Sequence, residues 1–242
     1  GGSLCGSGAW PRAGIALKGD ALPLALLADW LPTRENGRRW SLDGTLDLDA
    51  HIASAALGWA ASASVQSTGG GLRSGARARR VLFGYRDLKL ALQANPQRIE
   101  GSVNAGLSGG GRIDAQLATG WDAASVLTGS LRANTKELTW LELLSPDLAE
   151  PGGLLALDVQ LSGSRSHPRL GGSARLQAFS AELPALGIGI EQGEVELQAR
   201  EDGSASIRGS ANTGKGTLQI EGSLGWLDDT SPLQVSIRGS EV

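Results

Sequence analysis

The sequence predicts an all-β protein: a long antiparallel meander folded over into a groove with a hydrophobic interior, with two short amphipathic helices. Three observations predict it. Apolar and polar residues alternate with period two along most of the chain. Short clusters of Gly, Ser, Asn and Asp separate the alternating runs, so successive strands pair antiparallel. Glycine recurs at a fixed place in the pleat, on the apolar side.

The elements follow in chain order. "ALPLALLADWLP" at 21–32 has closely spaced leucines and a Trp between prolines, which predicts an amphipathic helix near 22–31. Pro23, Asp29 and Pro32 interrupt it too often for a membrane span. "SLDGTLDLDAHI" then alternates, with Leu42, Leu46, Leu48, Ala50 and Ile52 on one face and Asp43, Thr45, Asp47, Asp49 and His51 on the other. Similar runs hold Leu57, Trp59, Ala61, Ala63 and Val65, then Leu88, Leu90 and Leu92, then Ile99, Val103, Ala105 and Leu107, then Ile113, Ala115 and Leu117. Leu127, Leu131 and Ala133 form the next. "KELTWLELLSPDLAEPGG" breaks the alternation and predicts the second helix, near 137–148.

Alternation resumes with Leu155, Leu157, Val159 and Leu161, then Leu170, Ala174 and Leu176. Ile188 with Ile190, Val195 with Leu197, Ile207 with Ala211, and Leu218, Ile220, Leu224 and Trp226 follow, before Leu233, Val235 and Ile237. "STGGGLRSG", "SGGG", "REDGS" and "NTGKG" are the turn clusters. The total is about fourteen strands of roughly 6 to 10 residues. With no Met anywhere, 1–242 reads as a single β-groove segment of a larger protein.

A repeated unit sits within the alternation: a large aliphatic residue, any residue, Gly, then Ser or Thr. It places Gly44, Gly101, Gly129, Gly163, Gly172, Gly209, Gly222 and Gly239 on the apolar side. Glycine inside a strand weakens it and marks a bulge, a bend or a close approach. Either these glycines let the sheet curl beneath another layer, or they leave a trough down the apolar face. Fourteen strands at ~4.8 Å spacing and ~3.3 Å rise give one face on the order of 1,700 Å². Soluble monomers rarely expose more than a few hundred Å² of contiguous apolar surface. Small Gly and Ala slots and few aromatics would leave a folded-over sheet underfilled, so a hydrophobic trench fits best. Its expected lining is Leu46, Leu48, Leu90, Val103, Leu131, Leu157, Val159, Leu176, Ile190, Val195, Leu197, Ile207, Leu218, Ile220, Leu224, Val235 and Ile237, with the eight glycines widening it. Acyl chains are the natural occupant.

Composition excludes other classes. The net charge of −3 argues against nucleic acid. Only 4% of residues are aromatic, and seven of those ten are Trp, so the apolar surface is a thin aliphatic lining. His51 and His167 are the only histidines and stand apart, so no metal or other cofactor is expected. Asp43, Asp47 and Asp49 read as solvating charges on an outer face. "GSANTGKG" at 209–216 approaches a phosphate-binding loop, but Gly216 stands where Ser or Thr is needed and a strand follows; it reads as a hairpin turn. Arg73, Arg77, Arg79, Arg80 and Arg86 form a basic turn suited to solvent, anionic lipid or a partner. Cys5 is either a small residue near one end or half of a disulfide whose partner lies outside the segment. No nucleophile–base arrangement emerges, and no enzymatic activity is expected.

Glycine-punctuated strands, "LPLALLADWLP" leading into "LDGTLDLDA", and "LPALGIGIEQGEVELQAREDGSASIRGSANTGKGTLQIEGSLGW" together resemble the TamB family. These are the large subunits of the bacterial translocation and assembly module, related to AsmA-type and bridge-like lipid-transfer proteins. The resemblance covers essentially the whole chain and is most specific from about Pro168 onward. It implies a β-taco-like periplasmic segment of an inner-membrane-anchored protein in a Gram-negative bacterium, lying in the C-terminal half. It further implies phospholipid transport between the membranes, and support of outer-membrane protein assembly with TamA, an Omp85-class barrel. Two alternatives come from other classes: a chaperone-like platform pairing its edge with nascent outer-membrane proteins, and an autotransporter passenger or adhesin β-solenoid.

Overall fold

The computed structural model describes residues 2–11, 14–31, 40–56, 58–75, 78, 81–143, 147–185, 187–200, 202–214, 216–225 and 233–240. Fourteen strands are found among them. They cluster into two compact units, the first formed by Gly1–Ser108 and Arg112–Val126, the second by Gly109–Gly111 and Leu127–Val242.

In the first unit the strands are β1 (Ser3–Ala9), β2 (Gly14–Pro23), β3 (Ser41–Ala55), β4 (Gly58–Arg73), β5 (Val81–Ala94), β6 (Ile99–Leu107) and β7 (Gly111–Thr119). Each pairs antiparallel with its neighbour in the chain. The second unit repeats the plan with β8 (Thr128–Glu137), β9 (Ala149–Gly163), β10 (Pro168–Leu183), β11 (Ile188–Ala199), β12 (Ser204–Thr213), β13 (Gly216–Gly225) and β14 (Gln234–Ser240). Its pairings are again between sequence neighbours. The expected all-β antiparallel meander is therefore present in both units.

The two amphipathic helices are not. Leu24–Trp30 and Thr139–Leu143 are 3-10 segments, closed by i to i−3 bonds such as Leu31 N–H to Ala28 O (3.3 Å) and Leu141 N–H to Leu138 O (2.8 Å). The physical reason is local. The first segment is seven residues long, too short to support itself as an α-helix. Its N-cap is Pro23, which offers no side-chain oxygen to the free N–H groups. Each 3-10 segment instead lies against the long strand that follows it, β3 and β9 respectively.

Strand lengths also depart from expectation. β3, β4, β5, β9, β10 and β11 have 12 to 16 residues because each runs through a register shift instead of stopping there. Asp20 and Ala21 of β2 together face Asp47, and Asp87 and Leu88 of β5 face Ala105. Gln177 and Ala178 of β10 face Glu194, Glu150 and Pro151 of β9 face Ala181, and Glu191 and Gln192 of β11 face Ser180. These are β-bulges, which bend a strand and sharpen its twist without ending it. "STGGGLR", expected as a turn, is strand for the same reason. Gly70 sits beneath the Tyr85 ring, where a Cβ would lie 2.6 Å from Tyr85 Oη, so only glycine lets β4 continue past the aromatic.

Buried apolar side chains are few. Among the described residues they are Leu24, Leu82, Ala105 and Leu107 in the first unit, and Leu127, Leu138, Ala181, Ala205 and Ala211 in the second. Four of these nine are alanines, so neither unit has a bulky filled centre.

Candidate functional site

Directly opposed residues of an antiparallel pair share a face, so the register assigns the apolar side strand by strand. In the first unit, one row runs Leu4, Gly19, Leu48, Val65, Leu90, Val103, Ala115 across all seven strands. The next runs Gly6, Leu17, Ala50, Ala63, Leu92, Gly101, Leu117, and a third runs Gly8, Ile15, Ile52, Ala61, Ala94, Ile99, Thr119. Leu46 stands beyond the β2 bulge, opposite Leu22. The lining residues expected from the sequence thus share one face of this sheet. That face is not sealed: Leu90, Leu92 and Leu117 are 37%, 41% and 44% exposed.

The second unit is organised alike. Leu131, Val159, Gly172, Ala199, Ala205 and Leu224 form one row. Ala133, Leu157, Ala174, Leu197, Ile207, Gly222 and Val235 form another, and Thr135, Leu155, Leu176, Val195, Gly209, Ile220 and Ile237 a third. Leu218 lies between Ala211 and Gly239, and Ile190 lies past the bulge, opposite Ala181. Most of these side chains are half-buried, while Val235 and Ile237 on β14 are exposed.

The glycines on this side have two physical origins. A Cβ on Gly101 would meet only Leu92 Cδ1 and Ala91 O, at 3.8 and 3.9 Å, so the slot between Leu92 and Leu117 is open space that a methyl group could enter. Gly172 is different: its φ is +113°, and a Cβ would run into the Asp158 carbonyl. At Gly209 and Gly222 a Cβ would come within 2.6 and 2.5 Å of the Glu194 and Gln234 carbonyl oxygens. Close backbone approach requires glycine there, and the vacant slot follows from it. Gly44 and Gly163 also have positive φ; Gly129 and Gly239 face Leu161 and Leu218 in register.

The other face is polar. Lys18 opposes Asp49, and Arg175, Glu196, Arg208 and Glu221 alternate in sign along one row. Arg175 Nη2 lies 3.1 Å from Glu196 Oε1, and Arg132 Nε lies 3.5 Å from Asp158 Oδ2. Exposed pairs of this kind contribute about 0–1 kcal/mol each. Asp43 and Asp47 hold the sheet together locally. Asp43 pairs with Arg73, and Asp47 Oδ1 accepts the Ala21 N–H at 2.8 Å in the β2 bulge.

The remaining sequence candidates are dispersed. His51 is exposed on the polar face between Ala16 and Ser62, and His167 is exposed in the β9–β10 turn. Cys5 is exposed and unpaired on β1. "GSANTGKG" is the β12–β13 hairpin, with Thr213 opposite Gly216 and Gly214 at φ +57°, as the sequence indicated. Leu57, Arg77, Arg79, Arg80, Lys215 and Trp226 lie outside the described residues. Sequence reasoning missed β1 and β2, which add Leu4, Ile15 and Leu17 to the apolar face. The alternation in "GIALKG" was their signal.

Each unit, taken by itself, carries an apolar face laid out in cross-strand rows and punctuated by glycine. The family model described as TamB, N-terminal domain, matches residues 4–176. The chain belongs to the TamB family. That match takes in β1 to β9 and the first part of β10 of this TamB-family chain. The matched model is of the N-terminal domain, which differs from the C-terminal-half placement that the resemblance implied. Among curated proteins and among solved structures, nothing matches the chain. Among the described residues, no helix is long and apolar enough to cross a membrane.

Proposed function

We propose that this chain is a non-enzymatic, periplasmic β-groove segment of a TamB-like protein, anchored in the inner membrane through other parts of the full-length protein. Its apolar rows shield phospholipid acyl chains during transport between inner and outer membrane, and it supports outer-membrane protein assembly together with TamA. The observation that carries this reading is the apolar face of each unit, whose large side chains in the rows are half-buried or exposed instead of sealed in a core. Family membership supports the same role.

The chemistry is solvation. Apolar side chains replace water around each acyl chain, worth about 0.8 kcal/mol per buried CH₂. Such an interaction needs no specific partner atoms, which suits a lining of Leu, Val, Ile and Ala with open slots such as that at Gly101. The charged outer face keeps the segment soluble in the aqueous periplasm and makes the two faces of each strand chemically opposite.

Photo-crosslinking residues placed at Leu48, Leu131, Leu197 and Ile220 are expected to label co-purifying phospholipid, whereas the same groups at Asp49 and Glu196 are not. Equal labelling from both faces, or none from either, would sink the lipid reading.

A further inference from the structure

The apolar face of the first unit is closed at one end of its strands and open at the other. At the closed end, Leu24 of the 3-10 segment lies over Gly44, where a Cβ would stand 3.2 Å from Leu24 Cδ1. Leu72 opposes Phe83 there, and Tyr85 covers Gly70 while its hydroxyl reaches Ser67 Oγ at 3.0 Å. Leu24 is 9% exposed and Leu107 only 4%. At the other end the strands finish in the turns after β1, β3 and β5 and in the segment after β7, where no 3-10 segment is found among the described residues.

That open end carries tryptophan. Trp59 is on the apolar side, opposite Ser54 and two residues before Ala61 in the third row. Trp121 follows Thr119 of the same row and folds back over the β5–β6 turn. Its Nε1–H donates to Asn95 O at 2.6 Å, and its ring meets Trp59 edge-on with centroids 5.9 Å apart. Trp10 stands half-exposed in the turn after β1. Just beyond them lie the exposed polar residues Asn95, Gln97, Arg98 and Asp122. Tryptophan combines a broad apolar body with a polar N–H, which is why it gathers where hydrocarbon meets water.

We infer that this tryptophan-bearing end is where the polar head of a bound phospholipid sits, its acyl chains running along β3 to β6 toward the Leu24–Tyr85 end. The inference rests on the lipid reading above and adds the orientation of the guest. The dimensions agree. From Trp59 to Ser67 is eight residues, about 26 Å of strand. One leaflet of a bilayer core is about 15 Å deep, so acyl chains fit between the tryptophans and the closed end. The reverse orientation would press a charged head against Leu24, Phe83 and Tyr85, at the best-buried part of the sheet.

The test uses the 242-residue chain loaded from phosphatidylglycerol vesicles containing a phosphatidylcholine nitroxide, either on the headgroup or near the acyl terminus. The fluorescence of Trp59 and Trp121 is the difference between the native chain and the W59F/W121F variant. The headgroup nitroxide is expected to quench it about twofold more than the chain-end nitroxide, consistent with an interfacial position. In Phe83→Trp the added emission should show the opposite preference. Equal or reversed quenching in a chain that carries phospholipid overturns the orientation. Absence of phospholipid from the native chain overturns the lipid reading itself, so the two failures are distinguishable. Should W59F/W121F not fold, head- or tail-diazirine lipids on the native chain give the same comparison. Head probes should label 54–56, 58–59, 95–98 and 119–121, and tail probes Leu72 and Phe83; interchanged labelling overturns the proposal.

Discussion

Ala21, Asp87, Glu150, Ala178 and Gln192 all hold φ between 48° and 52°, a left-handed conformation that costs a residue with a side chain roughly 1–2 kcal/mol. Every one sits at a bulge, so the strain is the local cost of an unbroken strand. Ala178→Gly should therefore stabilise the protein by up to about 1 kcal/mol, the relief slightly offset by chain entropy, measured as a shift in the denaturant midpoint. Ala178→Val should shift it the other way. Asp202 offers a second test, in the β11–β12 turn. Its Oδ1 accepts bonds from Ser204 Oγ at 2.6 Å and from the Ser204 N–H at 2.9 Å. These, the hydroxyl foremost, hold its carboxyl below the ordinary 3.8. A depressed folded value means the turn's contribution is complete above the unfolded pKa and disappears as pH falls through the lower folded one. The Ser204 amide resonance should titrate with a midpoint below 3.8, and Asp202→Asn should abolish the step.

At the scale of the element, a short 3-10 segment lies against the first long strand after it in each unit, β3 and β9. Leu138, fully buried at 0% exposure, precedes the second of these. Leu138→Ala should cost about 2–5 kcal/mol in chemical unfolding, whereas Leu131→Ala, half-buried in a row, should cost clearly less. The same elements show what the sequence could disclose. Alternation identified most strands and their apolar faces, because a half-buried strand must repeat every two residues. It missed β1 and β2, whose glycines and Lys18 dilute the pattern. It split β11 into two runs, 188–190 and 195–197, because the bulge at Gln192 changes the parity of the apolar positions. Gly69 to Gly71 read as a turn because the role of the middle one, Gly70, passing beneath the Tyr85 ring, depends on a residue fifteen positions away. The closely spaced leucines of 22–31 were mistaken for helix periodicity, since leucine clusters that anchor a 3-10 turn on a sheet look alike in sequence. The candidate face was largely legible, its ends were not: closure by Leu24 and the tryptophan lip arise from contacts between distant strands.

At the scale of the whole molecule, the two units share an internal order. In each, a 3-10 segment precedes a strand of 15 residues, which is followed by one of 16. Function is expected to depend on the continuity of the apolar rows within them, not on any single side chain. Leu92→Glu should lower co-purifying phospholipid severalfold with little change in thermal stability, because Leu92 is already 41% exposed. Ala91→Glu, one position along on the polar side, should leave the lipid content unchanged, as read by lipid extraction and mass spectrometry. Among the described residues, strands pair only with strands adjacent in the chain, which has a further effect on how such a protein is made. Contact order stays low despite the all-β architecture, and loop-closure entropy never has to be met across a whole unit. Each hairpin can form as soon as its second strand emerges, so the polypeptide can fold vectorially, from one end, while the rest is still being synthesised.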